Sequence, residues 1–294
     1  MAAESFCDIV REHALVQGDI IAFTYGDEDI SFAELDRGAN RVANGLVALG
    51  VKPGERVAFL GKNHPLYFEA FLGAARVGAV MTPVNWRLAP PEVAYILDNC
   101  QARVAFVGEG YAEVLASIRA DCAQVEQVIG IDARDFSGTD YRIWRDGFPA
   151  SAPAHRVRAE DDALQLYTSG TTGKPKGAVI THGSILSSRD AVGQGDTRQW
   201  QEPIPGDVTL LAMPCFHISG TGTGITTMVA GSNAIVLPEY DPTRALDLIA
   251  NFNSRRSSWC RPRSRFCSTI RVWARPISAA SNTSPTAPRR SRWS

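Results

Sequence analysis

No aspartate or glutamate follows Asp247. The stretch Ser254–Ser294 holds ten arginines, ten serines and no acid, so a net charge of −1 conceals a body at −11 and a tail at +10. Cysteine is sparse: the six residues include no CxxC pair, which argues against a cysteine-built metal site or dithiol motif. Cys7, Cys100, Cys122 and Cys215 are therefore read as reduced, mostly buried thiols. Long apolar runs are lacking too. The best candidate for a membrane span, FEAFLGAARVGAVMTPV, is cut by Glu69 and Arg76. The N-terminal MAAESFCDIVREHA carries acids and no apolar core, so no secretory signal is expected, and the expected setting is cytoplasmic. Internal repeats are absent. What is present is a chain of 294 residues, 45% hydrophobic and 21% charged, the composition of a globular protein with a sizeable core.

Helix-like and strand-like segments alternate along the first half. SFCDIVREHALVQG has apolar residues at helical spacing, and IIAFTYGDEDISF reads as two short strands about a Gly26-Asp27 turn. Ser31, with Glu34 three residues on, is expected to cap an amphipathic helix carrying Leu35, Val42, Leu46 and Leu49. RVAFLG, AVMTPVN, ARVAFVG and QVIGID read as strands. PLYFEAFLGAARVG, APPEVAYILDNC and YAEVLASIRADC read as the helices between them. Such alternation implies a largely parallel sheet covered on both faces. Residues 133–162 read as a polar surface excursion. ALQLYTS is then a strand, GAVITHGSILSSRDAV a strand and helix, and the segment Asp207–Tyr240 a strand, loop, small-residue helix and strand. Asp241 and Pro242 open one more helix.

The densest chemistry lies in LYTSGTTGKPKGAVITH, Leu166–His182. Within Thr168–Gly177 stand three glycines, four hydroxyls and two lysines. Backbone N–H groups in a concave turn, hydroxyls and a lysine are what hold phosphate, and glycine lets the backbone approach it. Composition alone also fits a flexible linker. The Walker pattern does not fit, because Gly170 and Gly173 are too close and Pro175 follows Lys174.

The full string YTSGTTGKPKGAVITH resembles the signature loop of the adenylate-forming enzymes: acyl-CoA synthetases, coumarate-CoA ligases, luciferases and peptide-synthetase adenylation domains. ISFAEL (Ile30–Leu35), AARVGAVMTPVNWRL (Ala74–Leu88) and MPCFHISG (Met213–Gly220) resemble further elements of that family, over about Ser5–Phe252. The Asn85–Leu88 segment together with the His motif is most similar to the fatty-acyl-CoA synthetase branch. The resemblance implies an α/β fold of stacked, mostly parallel sheets with flanking helices. It implies ATP, Mg²⁺ and coenzyme A as co-substrates and a carboxylic acid as substrate. It assigns phosphate binding to Thr168, Ser169, Gly170, Thr171, Thr172, Gly173, Lys174, Lys176 and Gly177, with Lys174 also read as a solvated charge. His217 and Lys176 are the catalytic candidates, His217 lining the carboxylate pocket; no protein metal ligand is assigned. Without the motif, the favoured reading of His217 is a satisfied histidine at a strand end. Phe216, Gly220, Gly222 and Gly224 either line an acyl tunnel or serve close helix packing. His13, His64, His155 and His182 are assigned no catalytic part.

The family continues beyond the helix Leu246–Phe252 into adenine-, Mg²⁺- and ribose-binding segments and a small domain with a catalytic lysine, none of which this sequence carries. Residues 1–253 are therefore expected to be a partial AMP-binding domain, and 254–294 a disordered tail read out of frame from a GC-rich gene. In the shifted frame Trp259-Cys260 is forced to Val, Phe266-Cys267 to Leu and Trp273-Ala274 to Gly, and the free codons permit a family-like continuation. The rival reading of the tail, a basic arm for nucleic acid or an anionic membrane, is set aside because no nucleic-acid fold precedes it. Ligation by these residues alone is expected to be absent or nearly so. A non-catalytic nucleotide- or acyl-binding fragment, an aryl-CoA ligase and an amino-acid adenylating enzyme stand as alternatives. Oligomeric state, acyl chain length and peripheral membrane association are left open.

Overall fold

The computed structural model describes residues 3–134, 136–169, 174–193 and 206–248. The fold described is that of the compact unit Met1–Leu246. The tail Ser254–Ser294 and the expected end of the last helix at Phe252 lie outside the described residues.

The N-terminal helices start where their capping residues dictate. In α1 (Phe6–Val16) the Ser5 hydroxyl accepts from the Asp8 N–H at 3.2 Å, and the Asp8 carboxylate accepts from the Ser5 N–H at 3.0 Å. Ser31 and Glu34 form the same reciprocal pair at the start of α2 (Phe32–Ala48). Each box satisfies N–H groups that the first helical turn leaves free, at about 1 kcal/mol per cap. Between these helices, β1 (Ile21–Tyr25) and β2 (Glu28–Ser31) turn about Gly26 at φ 61°.

Among the described residues the strands form two sheets. The larger has the order β7-β6-β5-β3-β4-β8-β9: Thr139–Asp140, Gln127–Ile131, Val104–Gly108, Arg56–Leu60, Val80–Val84, Asp162–Thr168 and Lys176–Thr181. Its pairings are parallel except β8 with β9. The smaller sheet has β10 (Val208–Leu211), β11 (Asn233–Val236) and β1 in parallel, with β2 antiparallel at its edge.

Helix α3 (Pro65–Arg76) is buried at every one of its positions. Its aromatics reach both sheets: Phe68 stacks on Phe23 of β1 at 5.0 Å, and Tyr67 tilts against Phe59 of β3 at 4.9 Å. The same core takes Val57 and Phe59 from β3, whereas Ala58 and Leu60 face a second core under α4 (Pro90–Cys100). The strand is thus apolar on both faces, as a covered parallel strand must be. The four cysteines singled out above are free and buried, and burial raises the pKa of each thiol.

Two expectations need correction. YAEVLASIRADC is not one helix: α5 (Ala112–Ser117) stops, and a separate 3-10 turn spans Arg119–Asp121. Residues 133–162 are not purely a surface excursion either. They contain β7 and α6 (Tyr141–Asp146), whose Tyr141 is fully buried and donates to Glu69 Oε1 at 2.9 Å. Arg145 reaches the same carboxylate at 2.9 and 3.2 Å, so this segment neutralises the one acid of α3. The last expected helix begins as read: 242–248 is helical and the Asp241 carboxylate accepts from the Arg244 N–H at 2.9 Å.

Candidate active site

In the larger sheet, β3 is flanked by β4 on one side and β5 on the other, so the chain reverses its direction of winding there. The helices after β3 and β4 leave to opposite faces, α3 into one core and α4 into the other. The carboxyl ends of such strands open a crevice, the usual ligand site of an open α/β sheet. Lys62 follows β3, Trp86 and Arg87 follow β4, and Tyr111 follows β5. The Lys62 ammonium lies 5.6 Å and the Arg87 guanidinium 4.6 Å from the Trp86 ring centre. Phe216, from the loop between β10 and α8 (Ile218–Val229), meets Trp86 edge-on at 6.3 Å. The smaller sheet therefore delivers its Phe216-His217 loop to the crevice of the larger one.

The glycine-rich loop opens at the same carboxyl edge, on the strand next to β4. It is the tip of the β8–β9 hairpin, where Thr168 pairs with Lys176 and Tyr167 with Gly177. Thr168, Ser169, Lys174 and Lys176 are all exposed there. Gly170, Thr171, Thr172 and Gly173 lie outside the described residues. The hairpin is braced on α4: Tyr95 donates to the Pro175 carbonyl at 3.2 Å, and the Tyr167 phenol donates to Asn99 Oδ1 at 2.5 Å. Lys174 lies 5.5 Å from the Tyr95 ring centre, which leaves Lys176 the freer of the two cations. Gly177 has a packing reason of its own. A Cβ there would stand 2.2 Å from Nε2 of Gln165, which is buried and accepts from Arg56 at 2.9 Å.

The five histidines sort by what their rings already do. His64 Nδ1 accepts from the Leu66 N–H at 3.1 Å, so its proton sits on Nε2 and goes to Asp132 at 3.1 Å. That bond, with Arg142 beyond it, holds the Asp132 carboxyl down at about 2. His13 is bonded at both nitrogens, to Gln17 and the Val229 carbonyl. His155 Nε2 is buried against Gly78. His182 is the first residue of α7 (His182–Gly193), fully buried and stacked on Phe6 at 4.9 Å. His217 differs: it is the exposed N-cap residue of α8, with no side-chain capping bond and a ring contact only to Phe216 among the described residues.

Of the glycines near it, Gly220 and Gly224 serve packing. A Cβ on Gly220 would stand 2.2 Å from the Pro214 carbonyl oxygen, and one on Gly224 2.1 Å from the Phe68 ring. Among the described residues no three His, Cys, Asp or Glu side chains gather to hold a metal ion.

Residues 10–255 match the model of the family described as AMP-binding enzyme. The chain belongs to the AMP-binding enzyme family. It is 35% identical over 221 residues to the fatty acid–[acyl-carrier-protein] ligase ScoC of Streptomyces coeruleorubidus, covering 75% of this chain and 41% of that protein. It is 34% identical over 247 residues to the long-chain-fatty-acid–CoA ligase FadD13 of Mycobacterium tuberculosis, covering 82% of this chain and 46% of that one. Among solved structures, the inhibitor-bound N-terminal domain of FACL13 from M. tuberculosis superposes with a TM-score of 0.76 at 32% identity, over 85% of this chain and 61% of that one. The chain thus spans less than half the length of these curated relatives, and their N-terminal part is what it matches.

For this AMP-binding enzyme the sequence reading had singled out Thr168, Ser169, Lys174, Lys176 and His217; the structure places Thr168 and Ser169 at the carboxyl end of β8, Lys174 and Lys176 at the start of the antiparallel β9, and His217 in the loop after β10. It had missed Lys62, Trp86 and Arg87 as site residues. The available signal was an aromatic next to a cation, Trp86-Arg87, directly after the apolar strand VMTPV.

Proposed function

We propose that the chain carries the phosphate- and acyl-handling face of an acid–thiol ligase that activates a carboxylic acid, a fatty acid in the first instance, with ATP. The supporting observation is the braced hairpin tip Thr168–Lys176 standing beside the switch-point crevice with two hydroxyls and two lysines exposed. In the first half-reaction a carboxylate oxygen bonds to the α-phosphorus of ATP, the bond to the β-phosphate bridging oxygen breaks, and pyrophosphate leaves. In the second, the coenzyme A sulfur bonds to the acyl carbon, AMP leaves, and the thiol proton passes to solvent.

Thr168, Ser169, Gly170, Thr171, Thr172, Gly173, Lys174, Lys176 and Gly177 hold the β- and γ-phosphates in this reading. Lys176 stabilises the charge that grows on pyrophosphate, which is catalysis by positioning and electrostatics. Mg²⁺ carried by ATP would supply neutralisation of phosphate charge; the lysine donors of the hairpin fit phosphate oxygens and cannot ligate the ion. His217 lines the carboxylate pocket, and Phe216 and Trp86 form its apolar wall. Arg87 adds positive charge at the rim, where an anionic co-substrate such as coenzyme A approaches, while the Lys62 ammonium is already paired with Glu239 at 2.6 Å. Residues 1–253 are read as a partial domain and 254–294 as an out-of-frame tail, so these 294 residues alone are expected to bind ligands without completing ligation. No described helix is long and apolar enough to cross a membrane.

Thermal unfolding with added ligand tests the reading. Mg-ATP and dodecanoate are each expected to raise Tm, and benzoate is not. A folded chain stabilised by neither Mg-ATP nor dodecanoate refutes the proposal, and benzoate acting in place of dodecanoate moves the assignment to aryl acids. Steady-state dodecanoyl-CoA formation by the purified chain contradicts the partial-domain reading. Sequencing the gene from the Leu246 codon past Ser294 tests the frame.

A further inference from the structure

The loop that presents His217 is held from beneath by a residue with no counterpart among the site residues above. Asn63, 2% exposed, sits between β3 and α3. Its Nδ2 donates to the Met213 carbonyl at 3.0 Å and to the Leu237 carbonyl at 3.0 Å. Its Oδ1 accepts from the Cys215 N–H at 2.8 Å, and its own N–H donates to the Pro238 carbonyl at 2.9 Å. One side chain thus ties the end of β3 in the larger sheet to the ends of β10 and β11 in the smaller. A second hold acts on the same peptide unit. The Thr221 hydroxyl donates to the Cys215 carbonyl and is therefore left to accept from the Tyr67 phenol at 2.7 Å, all of it buried. Both backbone groups of Cys215, two residues before His217, are fixed by side chains from α3, α8 and the β3–α3 turn.

We propose that Asn63 is a positioning residue: through the Met213–His217 loop it sets the place of the His217 ring and Phe216 against Trp86, and so shapes the carboxylate pocket. The inference rests on the acid-activating function proposed above for what the pocket binds, but not for what Asn63 does to the loop. The chemistry is specific to the amide. One planar group must donate twice and accept once within a buried space, and a carboxylate of the same shape cannot donate. Asn63→Asp would face the Met213 and Leu237 carbonyls with negative charge, and would disturb the loop more than a simple loss of stability does.

The test uses the 294-residue chain labelled with ¹³C-histidine, the His217 ring signal being assigned through His217→Gln. Asn63→Asp is expected to move or broaden the His217 signal and leave that of His155 in place. It is also expected to speed exchange of the Cys215 amide at least tenfold and to weaken dodecanoate about tenfold, with Mg-ATP binding changed less than twofold. Ser5→Ala, which removes a distant helix cap, controls for general destabilisation and should leave the His217 signal unmoved. Should Asn63→Asp fail to fold, Thr221→Val removes the second hold at equal size and is expected to move the same signals. A folded variant with a wild-type His217 signal and wild-type Cys215 exchange overturns the proposal. If the unsubstituted chain binds neither dodecanoate nor Mg-ATP, the function reading fails while the ring signal still decides the role of Asn63.

Discussion

His182 makes this fold sensitive to acid in a defined window. The ring is fully buried at the start of α7, stacked on Phe6, and neither nitrogen has a hydrogen-bond partner among the described residues. Burial carries its pKa from 6.5 down to about 4, against the smaller opposing pull of Asp161 and Asp8. The folded state therefore holds the ring neutral, while the unfolded chain takes up a proton from about pH 6.5 downward. Stability is complete above 6.5, falls as the pH drops toward 4, and the total loss is about 3 kcal/mol. At pH 5 the loss is about 2 kcal/mol relative to pH 8. His182→Phe keeps the apolar stack and removes the titrating group, so it isolates this contribution from the carboxylates that also respond to acid. Urea unfolding of both proteins, followed by tryptophan fluorescence at pH 8, 6.5 and 5, reads the difference directly. The advantage of His182→Phe over the native chain should grow by about 2 kcal/mol between pH 8 and pH 5. A difference that stays constant to within about 0.5 kcal/mol would show that the ring is charged or solvated in the fold, and would falsify the argument.

Removing Arg145 should leave the Glu69 carboxylate buried with only the Tyr141 phenol, so Arg145→Met is expected to lose about 3–5 kcal/mol in urea titration at pH 8. Gly224→Ala drives a methyl into the Phe68 ring and should cost about 1–3 kcal/mol, whereas Gly222→Ala meets nothing nearer than Ile218 at 3.8 Å and should add about 0.5–1 kcal/mol. Thermal melts of that pair check the packing reading of α8, and equal effects at the two positions would contradict it. Lys176→Ala should weaken Mg-ATP by about tenfold or more, the loss of one charge-assisted contact, and Lys174→Ala by less because its ammonium already rests on Tyr95. Calorimetric titration reads both.

Local pattern made most of the fold legible. The Ser31-Glu34 box, the Gly26 turn and the apolar strands each announce themselves within a few residues, and the structure places each where the pattern put it, while the Ser5-Asp8 box is a feature the structure adds. The failures lie where tertiary contacts decide. Tyr141 and Arg145 sit in a polar stretch with no period, and only the buried Glu69 on α3 explains why that stretch returns to the core. The α5 break leaves no comparable mark, since YAEVLASIRADC is helical in pattern throughout. For the site, the glycine-rich loop was visible because its chemistry is contiguous. Lys62, Asn63, Trp86 and Phe216 come from three separate segments, and nothing in one segment reports the others until β3, β4 and β10 bring their ends together.

The proposed function stands or falls with binding of the ATP phosphates by the segment Thr168–Gly177. Amide chemical shifts of the ¹⁵N-labelled chain, followed while Mg-ATP is added to millimolar concentration, test it most directly. Shifts are expected to centre on Thr168, Ser169, Lys174 and Lys176, to spread to Tyr95 through the brace on α4, and to be largely abolished by Lys176→Ala. Amides of the folded chain that stay still at the hairpin, or that move only elsewhere, would contradict it.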